Sequence, residues 1–315
     1  MNRSLLILLA ATLMLAAPVH AQTVYHLPET SEPFPFGRAK ALSWPAPSEH
    51  LQTTGERAKG AGPRPFTSSR VIVSGTPPFY PLPYSPVGKI FVEWPDDTFS
   101  YCSGVVIAPR ILLTAGHCVL RPELGASGFP LRLVFAPGYF LRPEVIWEAS
   151  AFLPSHGWAQ GGGVLPSGAD FALVELADNN FGRVGDAVGW YPIASRRLFP
   201  NHVTILGYPL AYDGGELMHG VASQSFGRGA KGTILYPGDM GAGADGGPLI
   251  EKFGVAAKGQ TGGGFNLVVG VTSFAFQDRD GSSLIVASEL NEQFLVHQRL
   301  ICDLDAGNCD AVAEE

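Results

Sequence analysis

The sequence predicts an all-β fold that closes on a single helix. From residue 87 onward, short apolar runs rich in β-branched residues alternate with clusters of Gly, Pro, Asp and Asn. This alternation is typical of β-barrels and sandwiches. One stretch near the C-terminus instead repeats its apolar residues at near-helical spacing. No internal repeat of solenoid period is visible.

The candidate strands are brief and bounded by turn residues. They lie at residues 87–93, 103–107, 110–114, 131–135, 144–149, 171–176, 203–206, 233–236, 249–252, 267–274 and 284–287. Ser288 is the expected N-cap of the helix, because a serine hydroxyl can accept the free N–H groups of a first helical turn. The apolar residues of this helix are Leu290, Phe294, Leu295 and Ile301.

The first 21 residues have the form of a secretory signal. A positive residue, Arg3, precedes an apolar run at residues 5–17 and a small-residue cleavage site at residues 19–21. The run is too short to span a membrane, and no later stretch is long enough. We therefore expect a soluble protein that is secreted or periplasmic.

Residues 22–70 are rich in Pro, Gly, Ser and charge, with no sustained period. Such a stretch buries too little apolar surface to order itself, which predicts a linker, a disordered arm or a propeptide. It ends at Arg70, which precedes the apolar pair Val71-Ile72. That arrangement is typical of a processing site, and it equally fits the start of the first strand. The main domain is expected over residues 71–315.

Composition excludes several classes of protein. The chain is 46% hydrophobic and 16% charged, which is globular, and its net charge of −7 argues against a nucleic-acid binder. The four cysteines of an exported chain predict two disulfides, although three pairings are possible. Cys102 and Cys118 flank a strand-turn unit, while Cys302 and Cys309 close a short loop. The histidines form no metal-binding pattern, so we expect no metal and no cofactor.

Three short motifs suggest a catalytic site. The hexapeptide GADGGP at residues 243–248 has the form of a G-x-S-G-G-P nucleophile loop, with Asp245 where the serine would stand. Upstream, TAGHC at residues 114–118 follows an apolar strand, and Asp170 lies at the mouth of another. Alone, each motif has an ordinary structural reading as a turn, a buried histidine or a cap. Their order along the chain favours the catalytic one.

With these motifs the chain resembles the trypsin/chymotrypsin family of serine peptidases, in a bacterial secreted form near the glutamyl endopeptidases. The matching stretches are CSG at 102–104, TAGHC at 114–118, DFAL at 170–173, GADGGP at 243–248 and GVTSF at 270–274. The likeness covers about residues 71–301. It implies two six-stranded antiparallel barrels with the active site between them, followed by a C-terminal helix.

The resemblance also implies residue roles. His117 matches the general base, and Asp170 matches the carboxylate that orients it. The backbone N–H groups of Gly243 and Asp245 match the oxyanion hole, which stabilises negative charge on the carbonyl oxygen under attack.

The resemblance further places Asp239 at the base of the primary specificity pocket, where an acid favours Arg or Lys before the cleaved bond. A solvated loop acid is the alternative reading of this residue. Ser273, Phe274 and Ala275 match the strand that lines the cleft. The family often has glycine at the position of Ala275, so the entrance to the specificity pocket should be narrower here.

Asp245 departs from the family pattern at the nucleophile, the group that attacks the substrate carbonyl. The mechanism needs a hydroxyl that histidine can deprotonate, and a carboxylate has no such proton to yield. Ala244 also replaces the acid that receives the new N-terminal amine in trypsin. The chain is therefore predicted to be a pseudopeptidase.

Three functions follow from these observations. The first is an inactive homologue, monomeric, whose cleft binds a peptide or protein. The second is an active serine endopeptidase that cuts after Arg or Lys with another nucleophile, although Ser223 and Ser225 lack a glycine framework. The third is an interaction protein that uses its outer surface or its Pro-rich arm.

Overall fold

The computed structural model describes residues 24–28, 30, 32–42, 68–72, 80–195, 198–254, 265–277 and 283–309. The predicted signal at residues 1–21 lies outside this part of the chain. Among the described residues, no helix combines the length and apolarity needed to cross a membrane.

Residues 22–70, here called the arm, contribute three strands of two residues. These are β1 (Tyr25–His26), β2 (Lys40–Ala41) and β3 (Ser69–Arg70). β1 and β2 join the first sheet of the domain, and β3 joins the second.

The first sheet is a closed antiparallel barrel of six strands, as predicted. The strands are β4 (Val87–Glu93), β5 (Phe99–Ala108), β6 (Ile111–Thr114), β7 (Arg132–Pro137), β8 (Trp147–Pro154) and β9 (Ala172–Leu176). They pair in the order β4-β5-β6-β9-β8-β7, and β7 pairs back to β4. Fully buried side chains such as Ile90, Leu112 and Phe135 fill the barrel.

The second sheet holds the later part of the chain. Its strands are β10 (His202–Gly207), β11 (His219–Gln224), β12 (Gly227–Arg228), β13 (Ile234–Pro237), β14 (Pro248–Glu251), β15 (Leu267–Gln277) and β16 (Ser283–Glu289). The six longer strands follow the order β13-β16-β15-β14-β10-β11. Its two ends approach each other where the Ser223 hydroxyl donates to the carbonyl of Pro237 (2.6 Å). The predicted double-barrel architecture is confirmed.

The described residues also form three α-helices: α1 (His156–Gln160), α2 (Val184–Val188) and α3 (Glu292–Leu304). The prediction that Ser288 caps the last helix is wrong. Ser288 lies in β16, and the cap is Asn291, whose side chain accepts the N–H groups of Gln293 and Phe294. An asparagine oxygen satisfies those free donors as well as a serine would.

α3 packs against the first barrel although it follows the second sheet in the chain. The Phe294 ring lies 5.6 Å from that of Phe171, edge to face. His297 Nε2 accepts the backbone N–H of His156 (3.1 Å). This helix therefore completes the surface of a barrel built much earlier in the sequence.

Two disulfides are present, as predicted. Cys102 is bonded to Cys118 and Cys302 to Cys309. The first joins β5 to the short turn after β6, and the second closes the loop that follows α3. The described residues contain no free cysteine.

Candidate active site between the two sheets

His117 lies in a single 3-10 turn, Gly116–Cys118, that begins just after β6 ends. The disulfide from the neighbouring Cys118 to Cys102 ties this turn to β5. The His117 side chain is fully buried. A strand end, a tight turn and a covalent bond thus fix the position of the imidazole.

Asp170 orients this imidazole through two contacts. Its Oδ2 lies 2.8 Å from His117 Nδ1, and its Oδ1 accepts the backbone N–H of His117 (2.9 Å). The Nδ1 contact is the one that selects a tautomer with the proton on Nδ1. Ser273, predicted to line the substrate pocket, is fully buried and donates its hydroxyl to Asp170 Oδ2 (2.5 Å).

The nucleophile loop at residues 243–248 is held by bonds from both sheets. Ser103 on β5 donates its hydroxyl to the Gly243 carbonyl (2.8 Å) and its N–H to the Asp245 carbonyl (2.8 Å). From the other side, Gly246 donates its N–H to the backbone carbonyl of Thr272 on β15 (2.7 Å). Gly243 and Gly246 have φ of 91° and 82°, a region that favours glycine. The loop is therefore held in place by hydrogen bonds from both sheets.

Asp245 is almost completely buried, and its Oδ1 has no hydrogen-bond partner among the described residues. Burial raises the pKa of this carboxyl to about 7, against an opposing effect of His117. The backbone N–H groups of Gly243 and Asp245 also oppose this shift and lower its pKa. Both predicted oxyanion-hole donors thus act on the Asp245 carboxyl itself.

His117 lies between two carboxyl groups. Burial alone lowers the pKa of its imidazole, but the charge and hydrogen bond of Asp170, with a further contribution from Asp245, outweigh burial and raise it. A raised pKa favours the imidazolium, which cannot accept a proton. The structure therefore brings His117, Asp170 and Asp245 into one buried, electrostatically coupled cluster.

Asp239 is engaged by neighbours on both carboxylate oxygens. Its Oδ1 accepts the backbone N–H of Ser68 in the arm (2.8 Å), and its Oδ2 accepts the Tyr212 hydroxyl (2.6 Å). The second bond raises the pKa of Tyr212 to about 12. Phe274 and Ala275 lie on β15, with Phe274 buried and Ala275 half-buried. A basic side chain that reaches Asp239 would therefore meet a carboxylate that already accepts hydrogen bonds from Ser68 and Tyr212.

Among the described residues, one group has the composition of a metal site: Cys102, His117 and Cys118, whose candidate ligand atoms lie within 4.8 Å of one another. The two cysteines share a disulfide, so neither offers a thiolate. This cluster is therefore unsuited to hold a metal ion.

Sequence reasoning missed the part that Ser103 plays in the site. Ser103 belongs to the CSG motif at residues 102–104, but the motif itself does not say what the hydroxyl contacts. That hydroxyl also accepts the backbone N–H of Tyr208 (3.0 Å), so one side chain joins β5, the nucleophile loop and the segment after β10.

In both fold and sequence the chain resembles the trypsin-like serine peptidases. Residues 102–255 match the family model described as "Trypsin-like peptidase domain". The matched stretch contains His117, Asp170 and the nucleophile loop.

Particular solved structures share the fold. A thermostable serine protease, AL20, from an extremophilic microorganism is 20% identical, with a TM-score of 0.60 over 70% of this chain and 99% of that one. The protease Anisep from Arthrobacter nicotinovorans is 22% identical, with a TM-score of 0.56 over 69% and 95%. A Glu endopeptidase is 18% identical, with a TM-score of 0.56 over 77% and 97%. At these identities the likeness establishes the fold alone.

A curated relative is the "Extracellular metalloprotease" of Bacillus subtilis (strain 168). It is 27% identical over 128 residues, which are 40% of this chain and 37% of that protein. The match thus spans little more than a third of the length of that relative.

Proposed function

We propose that this protein is an exported peptidase homologue that has lost peptide hydrolysis and keeps its cleft to bind a peptide or protein segment. The observation that carries the proposal is the buried carboxyl of Asp245 beside His117 and the backbone donors of its own loop. The signal-like N-terminus and the two disulfides support export.

With Asp245 at the serine position, the site has no hydroxyl nucleophile. Serine attacks because histidine takes its proton during bond formation. An ionised Asp245 has no proton to give, and its charge favours the imidazolium of His117. A protonated Asp245 is a still weaker nucleophile, and attack on an amide would have to expel a poor leaving group. Neither protonation state supports turnover.

The same side chain also blocks the oxyanion hole. The backbone N–H groups of Gly243 and Asp245 already act on the Asp245 carboxyl and lower its pKa. A substrate carbonyl would have to displace this carboxyl to reach those donors. Removal of a single oxyanion donor costs about 10²–10³-fold in turnover in serine peptidases, so occupation of both is a second barrier.

The other serines considered as nucleophiles are committed to structural bonds. Ser223 donates to the Pro237 carbonyl (2.6 Å), while Ser225 donates to the Asn201 carbonyl (3.2 Å) and accepts the N–H of the same residue (2.8 Å). Both serines are nearly fully buried. These contacts favour the inactive reading over an active endopeptidase.

The decisive experiment compares the wild type with Asp245→Ser, using a serine-reactive fluorophosphonate and a fluorogenic peptide ending in Arg. We expect only the serine variant to label and to turn over, because loss of a serine nucleophile costs on the order of 10⁶-fold. Adding His117→Ala to Asp245→Ser is the matched control and should abolish labelling. A wild type that labels would refute inactivity. If neither protein labels, the cleft cannot support catalysis even with a serine. Partner binding through the outer surface or the arm then becomes the favoured hypothesis.

Binding by the cleft is tested through Asp239. A fluorescent Arg-containing peptide should bind the wild type, and Asp239→Ala should weaken this binding at least about 10-fold, the scale of a lost charge-assisted bond. Asp186→Ala removes the same charge from α2 and should leave affinity unchanged. Equal effects of the two substitutions would mean that net charge, rather than a pocket, attracts the peptide.

A further inference from the structure

Two strand segments of the first barrel have a barrel partner on one edge only. β8 pairs with β7 only at Trp147 and Glu148, so on that side its later residues Ala151 and Phe152 have no barrel neighbour. β5 meets β6 from Val105 onward, so the same edge is open at Ser100 and Tyr101. An open strand edge leaves backbone donors and acceptors without partners.

The arm fills both openings. β1 pairs with β8 in the register Tyr25 to Phe152, and the Leu27 N–H continues the pairing to the Ser150 carbonyl (2.8 Å). β2 pairs in parallel with β5, in the register Lys40 to Ser100 and Ala41 to Tyr101. The arm thus completes the hydrogen bonding of the barrel at two separate places.

Aromatic residues of the arm pack against the same barrel. Phe34 is only 5% exposed, and its ring lies 5.8 Å from that of Phe99 and 6.1 Å from that of Phe91. The Tyr25 ring stacks on Phe129 with centroids 4.3 Å apart and planes within 3°. Burial of large aromatic side chains is among the strongest contributions to a protein interface.

We infer that residues 24–42 are a permanent part of the first barrel, and that cleavage between Arg70 and Val71 yields two chains that stay together. The arm has no cysteine, so its retention depends on the contacts above. The expected signal cleavage, after residue 21, leaves β1 intact. This inference does not depend on whether the site is active.

The retained arm also supports the site. β2 lies beside Tyr101, and a Cβ atom on Gly243 would come within 2.5 Å of the Tyr101 ring. The Tyr101 ring therefore lies directly against the nucleophile loop, and β2 of the arm pairs with the backbone of Tyr101.

The test introduces a site for a sequence-specific protease between residues 54 and 55 of the full chain. After complete cleavage, the two fragments are examined by size-exclusion chromatography and native mass spectrometry at low micromolar concentration. We expect a single species that contains both fragments. Separation of the cleaved wild-type fragments under native conditions would overturn the inference.

Two variants check that the docking is the one described. Phe34→Asp should release the fragment after cleavage, and it should lower the Tm of the uncut protein by on the order of 10 °C, as for other lost core aromatics. Tyr25→Ser is a milder change for use if Phe34→Asp does not fold, and it should speed dissociation. Phe226→Asp alters an exposed aromatic residue outside the arm and should leave the fragments together. Retention of the fragment by both arm variants would also overturn the inference.

Discussion

A buried carboxyl destabilises a protein when it ionises with too few partners to replace the water it has lost, and Asp245 is in that position. One of its oxygens is unbonded, and burial raises its pKa from an ordinary 3.8 to about 7. Between these two values the folded state holds a proton that the unfolded state has released. Stability must therefore fall as the pH rises through this window.

We predict that the wild type loses a few kcal/mol of unfolding free energy between pH 4 and pH 7 through this residue, at about 1.4 kcal/mol per pH unit. The raised pKa of His117 acts in the same direction at higher pH, because its contribution disappears once the imidazolium loses its proton.

Asp245→Asn should therefore be more stable than the wild type at pH 8 and nearly equal to it at pH 4. Urea unfolding at several pH values measures this difference. Asp186→Asn, at a half-exposed site on α2, should leave the pH profile unchanged. A wild type that is equally stable at pH 5 and pH 8 would contradict the predicted burial of an ionisable group.

At the scale of elements, Lys89 on β4 joins the first barrel to the loop between β10 and β11. Its Nζ donates to the carbonyl of Gly215 (2.9 Å) and to Glu216 Oε1 (3.1 Å), and it lies 4.0 Å from the centre of the Tyr101 ring. Burial lowers the pKa of this amine, and Glu216 opposes that shift. The other Glu216 oxygen accepts the Tyr139 hydroxyl (2.6 Å).

We predict that Lys89→Met destabilises the protein by about 1–3 kcal/mol, since a buried charge-assisted bond is lost while Glu216 stays partly hydrated. A double-mutant cycle with Glu216→Gln should give a coupling energy of about 1 kcal/mol. The exposed pair Arg38–Asp97 provides the matched control, for which we expect no measurable coupling. Additive effects at Lys89 and Glu216 would mean that the two residues do not interact across the sheets.

Strand prediction succeeded where burial leaves a clear pattern. The prediction at residues 87–93 coincides with β4, and the segments at 171–176 and 203–206 fall within one residue of β9 and β10. The segment at 144–149 begins too early and ends too early relative to β8. β11 was missed because its sequence, HGVASQ, is made mostly of small or polar residues, even at the positions that are buried. Apolar spacing gives no signal for such a strand.

At the scale of the whole molecule, the site was predictable only where a motif carries it. His117, Asp170 and Asp245 were found because each lies in a short conspicuous sequence, and the fold brings them together. The contacts of Ser103 and Lys89 escaped prediction because their partners lie more than 100 residues away. Such partnerships follow from how two sheets pack, which local sequence does not encode.

The arm shows the same limit. Its composition predicts a segment that cannot order itself alone. In the folded protein, however, Phe34 is buried and β1 and β2 occupy open strand edges. Because the order comes from the barrel that receives the arm, composition could not reveal it.

The position of α3 has a consequence for biosynthesis. Phe294 and Ile301 belong to the same buried cluster as Phe171 and Leu173 of the first barrel, and Arg110 in that barrel pairs with Asp305 beyond the helix. Proteins made of independent N-terminal and C-terminal units can fold the first unit while the second is still being synthesised. Here the first barrel is not fully covered until α3 has been synthesised. The nascent protein therefore keeps apolar surface uncovered while the whole second sheet is being translated, and this interval is when it most needs protection from aggregation.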